Sequence, residues 1–279
     1  MSAIILDGKA LAAKIENFVK ENLSEERLAP RLAILTDHSD PACEVYMRNK
    51  LKAAARCGIK AEVIDLPEAW TASSMMVFMD DVASHHEGII LQLPLRNHTW
   101  EKVIVSMIPP EKDVDGLTSA NVSALYTRDA RGLAPCTPQG IVALLNEYKI
   151  PVSGKNAVVV GRSELVGRPL AEMLLQLNAT VTICHSKTEN LSEHTKRADI
   201  LVSAVGKPNL ITADMVKPGA VVIDVGINRV NGKLCGDVDF DAVKEVASWI
   251  TPVPGGVGPM TVAALMRNVW LTDCEQWVI

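Results

Sequence analysis

KNAVVVGRSELVGRPLAEMLLQLNATVTICHSKT, residues 155–188, is the stretch on which the fold turns. Ala157 to Val160 form a short, wholly apolar, valine-rich run, the pattern of a strand buried on both faces. Gly161 ends it, and a polar turn, Arg162-Ser163-Glu164, leads to Gly167. Leu170, Met173, Leu174 and Leu177 then recur at helical spacing, and Val181 to Cys184 reads as a second strand. Strand, glycine turn, helix, strand is the opening half of a dinucleotide fold. The glycines let backbone N–H groups approach a pyrophosphate, and the helix N-terminus favours its charge. Ser163 stands where the second glycine of a GxGxxG would be, so on the motif alone an ordinary α/β turn stays open.

The residues just after the second strand bear on the nucleotide. An NAD site usually places an acid there for the ribose hydroxyls. This chain has His185-Ser186-Lys187-Thr188, with no acid, and Arg162 lies on the neighbouring turn. Such a site favours a 2′-phosphate and points to NADP. The competing reading is that Lys187 only solvates a loop.

Over the whole chain, 279 residues suggest two domains, and 48% apolar residues supply a core for each. A net charge of −5 and no dense basic run argue against a nucleic-acid surface. No apolar run approaches the roughly 20 residues of a membrane span, and MSAIILDGKA lacks the pattern of a signal peptide. Cys43, Cys57, Cys136, Cys184, Cys235 and Cys274 form no CxxC pair and no metal spacing. They read as reduced thiols of a cytoplasmic protein, with no metal site expected.

Upstream, residues 9–21 read as a helix with Leu11, Ile15 and Phe18 on one side, and Leu32 to Leu35 as a strand. Asp40 and Pro41 open a helix that Gly58 stops. Ala61 to Leu66 is a strand, Thr71 caps a helix carrying Met75, Met79 and Val82, and Ile89 to Leu91 is a third strand ending at Gln92-Leu93-Pro94. This β-α-β-α-β order predicts a second parallel sheet, with Gln92 and the 36–40 loop at its ligand end. Residues 108–121 read as a polar turn region, and Pro138 to Tyr148 as a helix capped by Thr137. Downstream, 200–203 and 220–225 read as strands, and Asn231-Gly232 as a hairpin turn. Residues 251–259, TPVPGGVGP, are expected to be neither helix nor strand. They form either a rigid turn or a backbone wall beside a flat ligand.

On a helical wheel of 41–57, Cys43, Tyr46, Lys50, Ala53, Ala54 and Cys57 share one face, and Arg48, Lys52 and Arg56 the other. Lys50 is the one cation on the apolar face, one turn beyond Tyr46. Such surroundings depress a lysine pKa. The alternative is a lysine snorkelling over the edge of a core. Asp113 and Asp115, in KDVDG, read by themselves as a solvated turn or a weak metal ligand.

Several ordered segments resemble the bifunctional methylenetetrahydrofolate dehydrogenase/cyclohydrolase family over essentially the whole chain: YMRNK (46–50), GIILQLPL (88–95), EKDVDGL (111–117), PCTPQG (135–140), VVVGRSELVGRP (158–169), CHSKT (184–188), VIDVGIN (222–228), GDVDF (236–240) and TPVPGGVGPMTVAALM (251–266). The resemblance implies two α/β domains with a cleft between them: an N-terminal folate domain over 1–138 and a Rossmann-like NADP domain over 139–269, the last helix, 270–279, returning to the first. It implies a homodimer and a folate substrate. It implies oxidation of 5,10-methylenetetrahydrofolate by NADP and hydrolysis of the methenyl product to 10-formyltetrahydrofolate, feeding one-carbon units to biosynthesis. By that resemblance Lys50 is the cyclohydrolase lysine, supported by Tyr46 and Gln92, and Asp115 is the pterin-binding acid. Leu93, Pro94, Pro254, Gly255 and Gly256 lie beside the substrate. Gly161, Arg162, Ser163, Ser186 and Ile227 contact the cofactor.

The residue types suit the chemistry. A pterin presents an N–H and an NH₂ side by side, and one carboxylate can accept both. Hydride transfer asks for positioning but no proton carrier, whereas hydrolysis of a methenyl cation asks for a base. The chain departs from the family pattern at Cys43 (usually serine), His38 (glycine), Arg96 (often proline) and Ser123 (glycine). A dehydrogenase without effective cyclohydrolase, and a folate- or nucleotide-binding regulator without turnover, are the alternative readings.

Overall fold

The computed structural model describes residues 2–38 and 41–273, without the side chains of 41–43 and 273. Its elements run β1 (Ile4–Ile5), α1 (Gly8–Glu26), β2 (Arg31–Thr36), α2 (Pro41–Cys57), β3 (Lys60–Asp65), α3 (Ala72–His85), β4 (Gly88–Leu91), α4 (Glu101–Met107), α5 (Ser119–Thr127) and α6 (Cys136–Glu147). They continue β5 (Asn156–Val160), α7 (Gly167–Gln176), β6 (Thr180–Cys184), α8 (Leu191–Thr195), β7 (Ile200–Ser203), β8 (Val221–Asp224), β9 (Asn228–Val230), β10 (Lys233–Cys235), α9 (Phe240–Val243), β11 (Trp249–Ile250) and α10 (Val257–Asp273). The chain divides into two compact units. One is Thr137–Thr261 with the chain up to Ala12; the other is Ala13–Cys136 with the described chain from Val262 on.

The second of these units is built on a parallel sheet of order β3-β2-β4. Alternate residues of β2 serve opposite faces, as the two-residue period of a strand requires. Leu32 and Ile34 pack with Met47, Ala53 and Ala54, whereas Ala33 and Leu35 pack with Met75, Met79 and Ile104. Thr71 caps α3 through a reciprocal box with Ser74. The other unit carries a six-stranded, wholly parallel sheet of order β1-β11-β8-β7-β5-β6. The chain leaves β5 for β6 on one side and returns to β7 on the other. That reversal is the switch point, where ligands of such sheets lie at the carboxyl ends of the strands. Asn231 (φ 49°) and Gly232 (φ 77°) join β9 to β10 in the expected hairpin, both in the left-handed region a type I′ turn needs.

The differences from expectation have local causes. The first twelve residues belong with the six-stranded sheet, because β1 pairs with β11 through Ile4↔Trp249 and Ile5↔Ile250. The last helix joins the Ala13–Cys136 unit from Val262 rather than from 270; positions 274–279, like the expected cap Asp40, the Cys43 side chain and Cys274, lie outside the described residues. Helix α6 starts at Cys136, so Thr137 is inside it, and its hydroxyl pairs with Thr261 Oγ1 at 2.9 Å. Helix α10 takes up Val257 to Pro259, proline being at home in a first turn. Ser119 to Asn121 are helical behind the cap Thr118. On α1, Phe18 is 49% exposed, while Val19 and Leu23 are buried.

Among the described cysteines, Cys57, Cys136 and Cys184 are buried free thiols and Cys235 is half-exposed. Burial pushes the Cys57 thiol up to about 12 and also raises Cys136 and Cys184. A thiol reagent at about pH 8 is therefore expected to modify Cys235 in the native protein and these three only on unfolding. Peptide mapping by mass spectrometry checks this, and native labelling of Cys136 would contradict it.

Candidate active site

Helix α2 and strand β4 bring two of the expected residues together. Lys50 is half-buried, and its Nζ donates to Gln92 Oε1 at 2.9 Å. Gln92 is buried at the carboxyl end of β4, where its N–H extends the pairing with β2 by donating to Leu35 O at 2.8 Å. Its Nε2 donates to Leu93 O at 3.0 Å, so the amide is oriented with its oxygen toward the lysine. Leu93-Pro94 is a cis peptide, and Pro94 is exposed. The helical wheel is right for Ala53, Ala54 and Cys57, which are buried. Tyr46, however, is 38% exposed, and Met47 takes its place in the core. Arg56, on the opposite face, grips Glu16 of α1 through two bonds of 2.6 and 2.7 Å.

The two acids of KDVDG have different surroundings. Asp113 is 1% exposed, and its Oδ2 accepts Thr118 N at 2.7 Å and Asn121 Nδ2 at 2.9 Å. It anchors the loop and the start of α5, and is not a solvated turn residue. Asp115 is held where burial raises its carboxyl above the usual range; the Asp113 charge adds to this, and Lys50 and a hydrogen bond with Cys136 oppose it. The backbone before it is fixed from two sides. Val114 O accepts Cys136 Sγ at 3.3 Å and Asn268 Nδ2 at 2.9 Å. Sequence reasoning missed Asn121 and Asn268, each an asparagine within a helix, and polarity on an apolar helix face was the one available signal. Lys50, Gln92 and Asp115 thus form one electrostatic cluster in the Ala13–Cys136 unit. Among the described residues no group of three or more potential ligands could hold a metal, and no helix is long and apolar enough to cross a membrane.

His38, one of the departures from the family pattern, has φ 50°. Glycine adopts that region at no steric cost, and here the residue is tied by His38 Nε2 to Asp65 Oδ1 at 2.8 Å.

In the other unit, Gly161 (φ 130°) follows β5, and a Cβ there would overlap the Ala204 carbonyl. A Cβ on Gly167 would overlap the Gly161 carbonyl, so both glycines are sterically required. Ser163, in place of the middle glycine, turns its Oγ back to accept Val166 N at 3.2 Å and Gly167 N at 3.3 Å at the start of α7. Arg162, Ser163, Ser186 and Lys187 are all exposed at the carboxyl ends of β5 and β6. The 185–188 turn is closed by His185 N to Thr188 Oγ1 at 2.8 Å. Ile227 is 42% exposed after β8. Pro254 follows a cis peptide, Gly255 has φ 110°, and Gly255 O accepts Lys9 N at 3.0 Å. The start of α1 thus holds one point of this loop.

Beyond these, two acids missed by the sequence reading organise the carboxyl ends of β7 and β8. Asp224 accepts Gly226 N at 3.0 Å, Asp237 N at 2.9 Å and Val238 N at 2.9 Å, and burial still pushes its carboxyl up to about 6. A Cβ on Gly236 would overlap Asp224, and one on Gly226 would overlap Asp237. Both acids lie within segments already singled out, VIDVGIN and GDVDF.

A glycine-turned parallel sheet in one unit and a half-buried lysine joined to a buried amide and an acid in the other define a class, that of two-unit α/β proteins of the dinucleotide-fold type. Comparison with known proteins narrows it. The family description "Tetrahydrofolate dehydrogenase/cyclohydrolase, catalytic domain" matches residues 6–115, and its companion "NAD(P)-binding domain" matches 135–276. The chain belongs to the tetrahydrofolate dehydrogenase/cyclohydrolase family. The bifunctional protein FolD of Methanospirillum hungatei is 53% identical over 267 residues, 95% of each chain. Among solved structures, the FolD methylenetetrahydrofolate dehydrogenase/cyclohydrolase of Campylobacter jejuni superposes with a TM-score of 0.93 at 44% identity, covering 97% of this chain and 98% of that one. The Trypanosoma brucei enzyme, complexed with NADP cofactor and inhibitor, superposes at 0.90 with 36% identity, covering 98% and 97%.

Proposed function

We propose that this protein oxidises 5,10-methylenetetrahydrofolate with NADP and hydrolyses the resulting methenyl compound to 10-formyltetrahydrofolate. The observation that carries the reading is the Lys50 Nζ–Gln92 Oε1 bond of 2.9 Å inside a cluster that includes Asp115. In the first reaction Asp115 accepts the paired N–H groups of the pterin and fixes the ring. NADP supplies the hydride acceptor; Leu93, Pro94, Pro254, Gly255 and Gly256 hold the substrate in place. In the second reaction a water adds its oxygen to the methenyl carbon and Lys50, as a neutral amine, takes the water proton. As the bond from that carbon to N5 breaks, the added hydroxyl loses its proton to solvent and becomes the formyl oxygen, and N5 takes the proton held by Lys50, so one proton is released overall. Gln92 orients the lysine, and Tyr46 assists from the rim.

The steric demand for glycine at 161 and 167 supports a dinucleotide at that turn, and the exposed cations Arg162 and Lys187, with Ser186, fit a 2′-phosphate. kcat/KM for NADP is accordingly expected to exceed that for NAD by about tenfold or more, the worth of one charge-assisted contact. Equal values contradict it. The whole reading is tested by mixing the protein with methylenetetrahydrofolate and NADP. NADPH followed by 10-formyl product is expected, NADPH with methenyl product alone leaves a dehydrogenase only, and neither leaves a binding protein. The family resemblance also supports a cytoplasmic homodimer that feeds biosynthesis; light scattering of the purified protein tests the dimer.

A further inference from the structure

We infer that Asp237 is a positioning residue for the dinucleotide, holding the wall of the binding crevice that faces the glycine turn; this rests on the proposed NADP reading. Asp237 is fully buried, and no cation pairs with it among the described residues. Its charge is met by five donors. Oδ2 accepts Val205 N at 2.8 Å, Gly206 N at 3.2 Å and Ser203 Oγ at 3.2 Å. Oδ1 accepts Lys207 N at 2.8 Å and Asn228 Nδ2 at 3.0 Å. A carboxylate has about four lone-pair sites, so this one is saturated. Three successive amides turned onto one anion give the 205–207 loop a single conformation, in the manner of a backbone nest.

The place of that loop is what assigns a role beyond folding. It leaves the carboxyl end of β7, next to β5, at the switch point of the sheet. Ala204, between the strand and this loop, is the residue whose carbonyl a Cβ on Gly161 would strike. The glycine turn and the Asp237-bound loop therefore face each other as the two sides of one crevice. The same carboxylate holds Asn228, the neighbour of the exposed Ile227. Asp237 itself is fixed, because its N–H donates to Asp224 Oδ1 at 2.9 Å. One buried charge thus sets the course of the backbone after both β7 and β8. Asparagine would keep the volume but offer one acceptor oxygen, and its NH₂ would confront amide donors.

The test is Asp237→Asn in the full chain, with four readouts: NADP Kd by titration calorimetry, KM for NADP and for methylenetetrahydrofolate, and cyclohydrolase rate on methenyltetrahydrofolate, a reaction that uses no dinucleotide. The expected result is an NADP Kd and KM raised about tenfold or more, with folate KM and cyclohydrolase rate within about twofold of wild type. An NADP Kd within twofold of wild type overturns the inference. So does a parallel fall of cyclohydrolase, because the acid would then serve stability alone. Should Asp237→Asn not fold, Asn228→Ala removes one donor and keeps the acid; it is expected to raise KM for NADP severalfold, and an unchanged KM overturns the inference. A wild-type protein that binds no NADP sinks the functional reading first, and that is measured before any variant.

Discussion

Lys50→Met is expected to lose cyclohydrolase by about 10²–10⁴-fold while keeping substantial dehydrogenase activity. The helix should survive the change. Lys50 is half-buried beside the fully buried Ala53 and Ala54, and methionine keeps the length of the stem. Gln92 Oε1 loses the lysine donor, while β4 stays paired through Gln92 N and Leu35 O. Hydride passes from the folate methylene carbon without help from a base, whereas water attack on the methenyl carbon needs one. Methenyltetrahydrofolate should therefore accumulate as NADPH appears, followed by absorbance of both species. Tyr46→Phe should be milder, because Tyr46 sits 38% exposed at the rim. Near-wild-type hydrolysis by a folded Lys50→Met protein would remove the lysine from its role. Loss of both activities with binding intact would mean that hydride transfer needs it too.

Asp115→Ala and Asp113→Ala are expected to fail in different ways. Losing the Asp115 carboxylate removes a charge-assisted pair of pterin contacts, about 1.5–3 kcal/mol, which raises folate Kd by roughly 10- to 150-fold. Asp115→Ala leaves the Asp113 bonds to Thr118 and Asn121 in place, so the variant should melt close to wild type. Asp113→Ala instead strands the buried Thr118 N, at about 1–3 kcal/mol, and takes one acceptor from Asn121 Nδ2, which keeps Pro110 O at 2.9 Å; it should lower Tm. Folate titration and thermal melts on the two variants separate these outcomes. Indistinguishable folate Kd values would show the assignment of Asp115 to be wrong.

How far each feature could be read from sequence depends on the range over which its cause acts. Helix α2 was legible to its last residue because Pro41 and Gly58 are local signals. The β5–α7–β6 unit was legible because a valine run, two glycines and a helical period sit within thirty-odd residues. Strand β1 was not, since two exposed isoleucines carry no period and become a strand only by pairing with β11, far along the chain. Asp113 and Asp115 look alike in KDVDG. Their separation comes from Asn121, brought in by α5, and from Cys136 with Asn268, brought in by α6 and α10. Lys50 was legible as an anomaly on an apolar face, but its partner Gln92 lies 42 positions away, and the family resemblance paired them before any geometry did.

The overlaps at Gly226 and Gly236 carry a consequence for heredity. Asp237 fills the space a side chain at 226 would need, and Asp224 fills that at 236. Replacing either glycine while its acid stays forces backbone or carboxylate out of place, and replacing an acid first strands the amides it serves. At Gly236 and Asp224, neither order of single changes leaves both the space and the amides satisfied. Asp224 and Gly236 are thus transmitted together as one character, so descendants of this chain that vary at 236 should be those that have also abandoned the acid opposite, whereas Gly226 is crowded by the backbone N of Asp237 as well and is not released by loss of that acid.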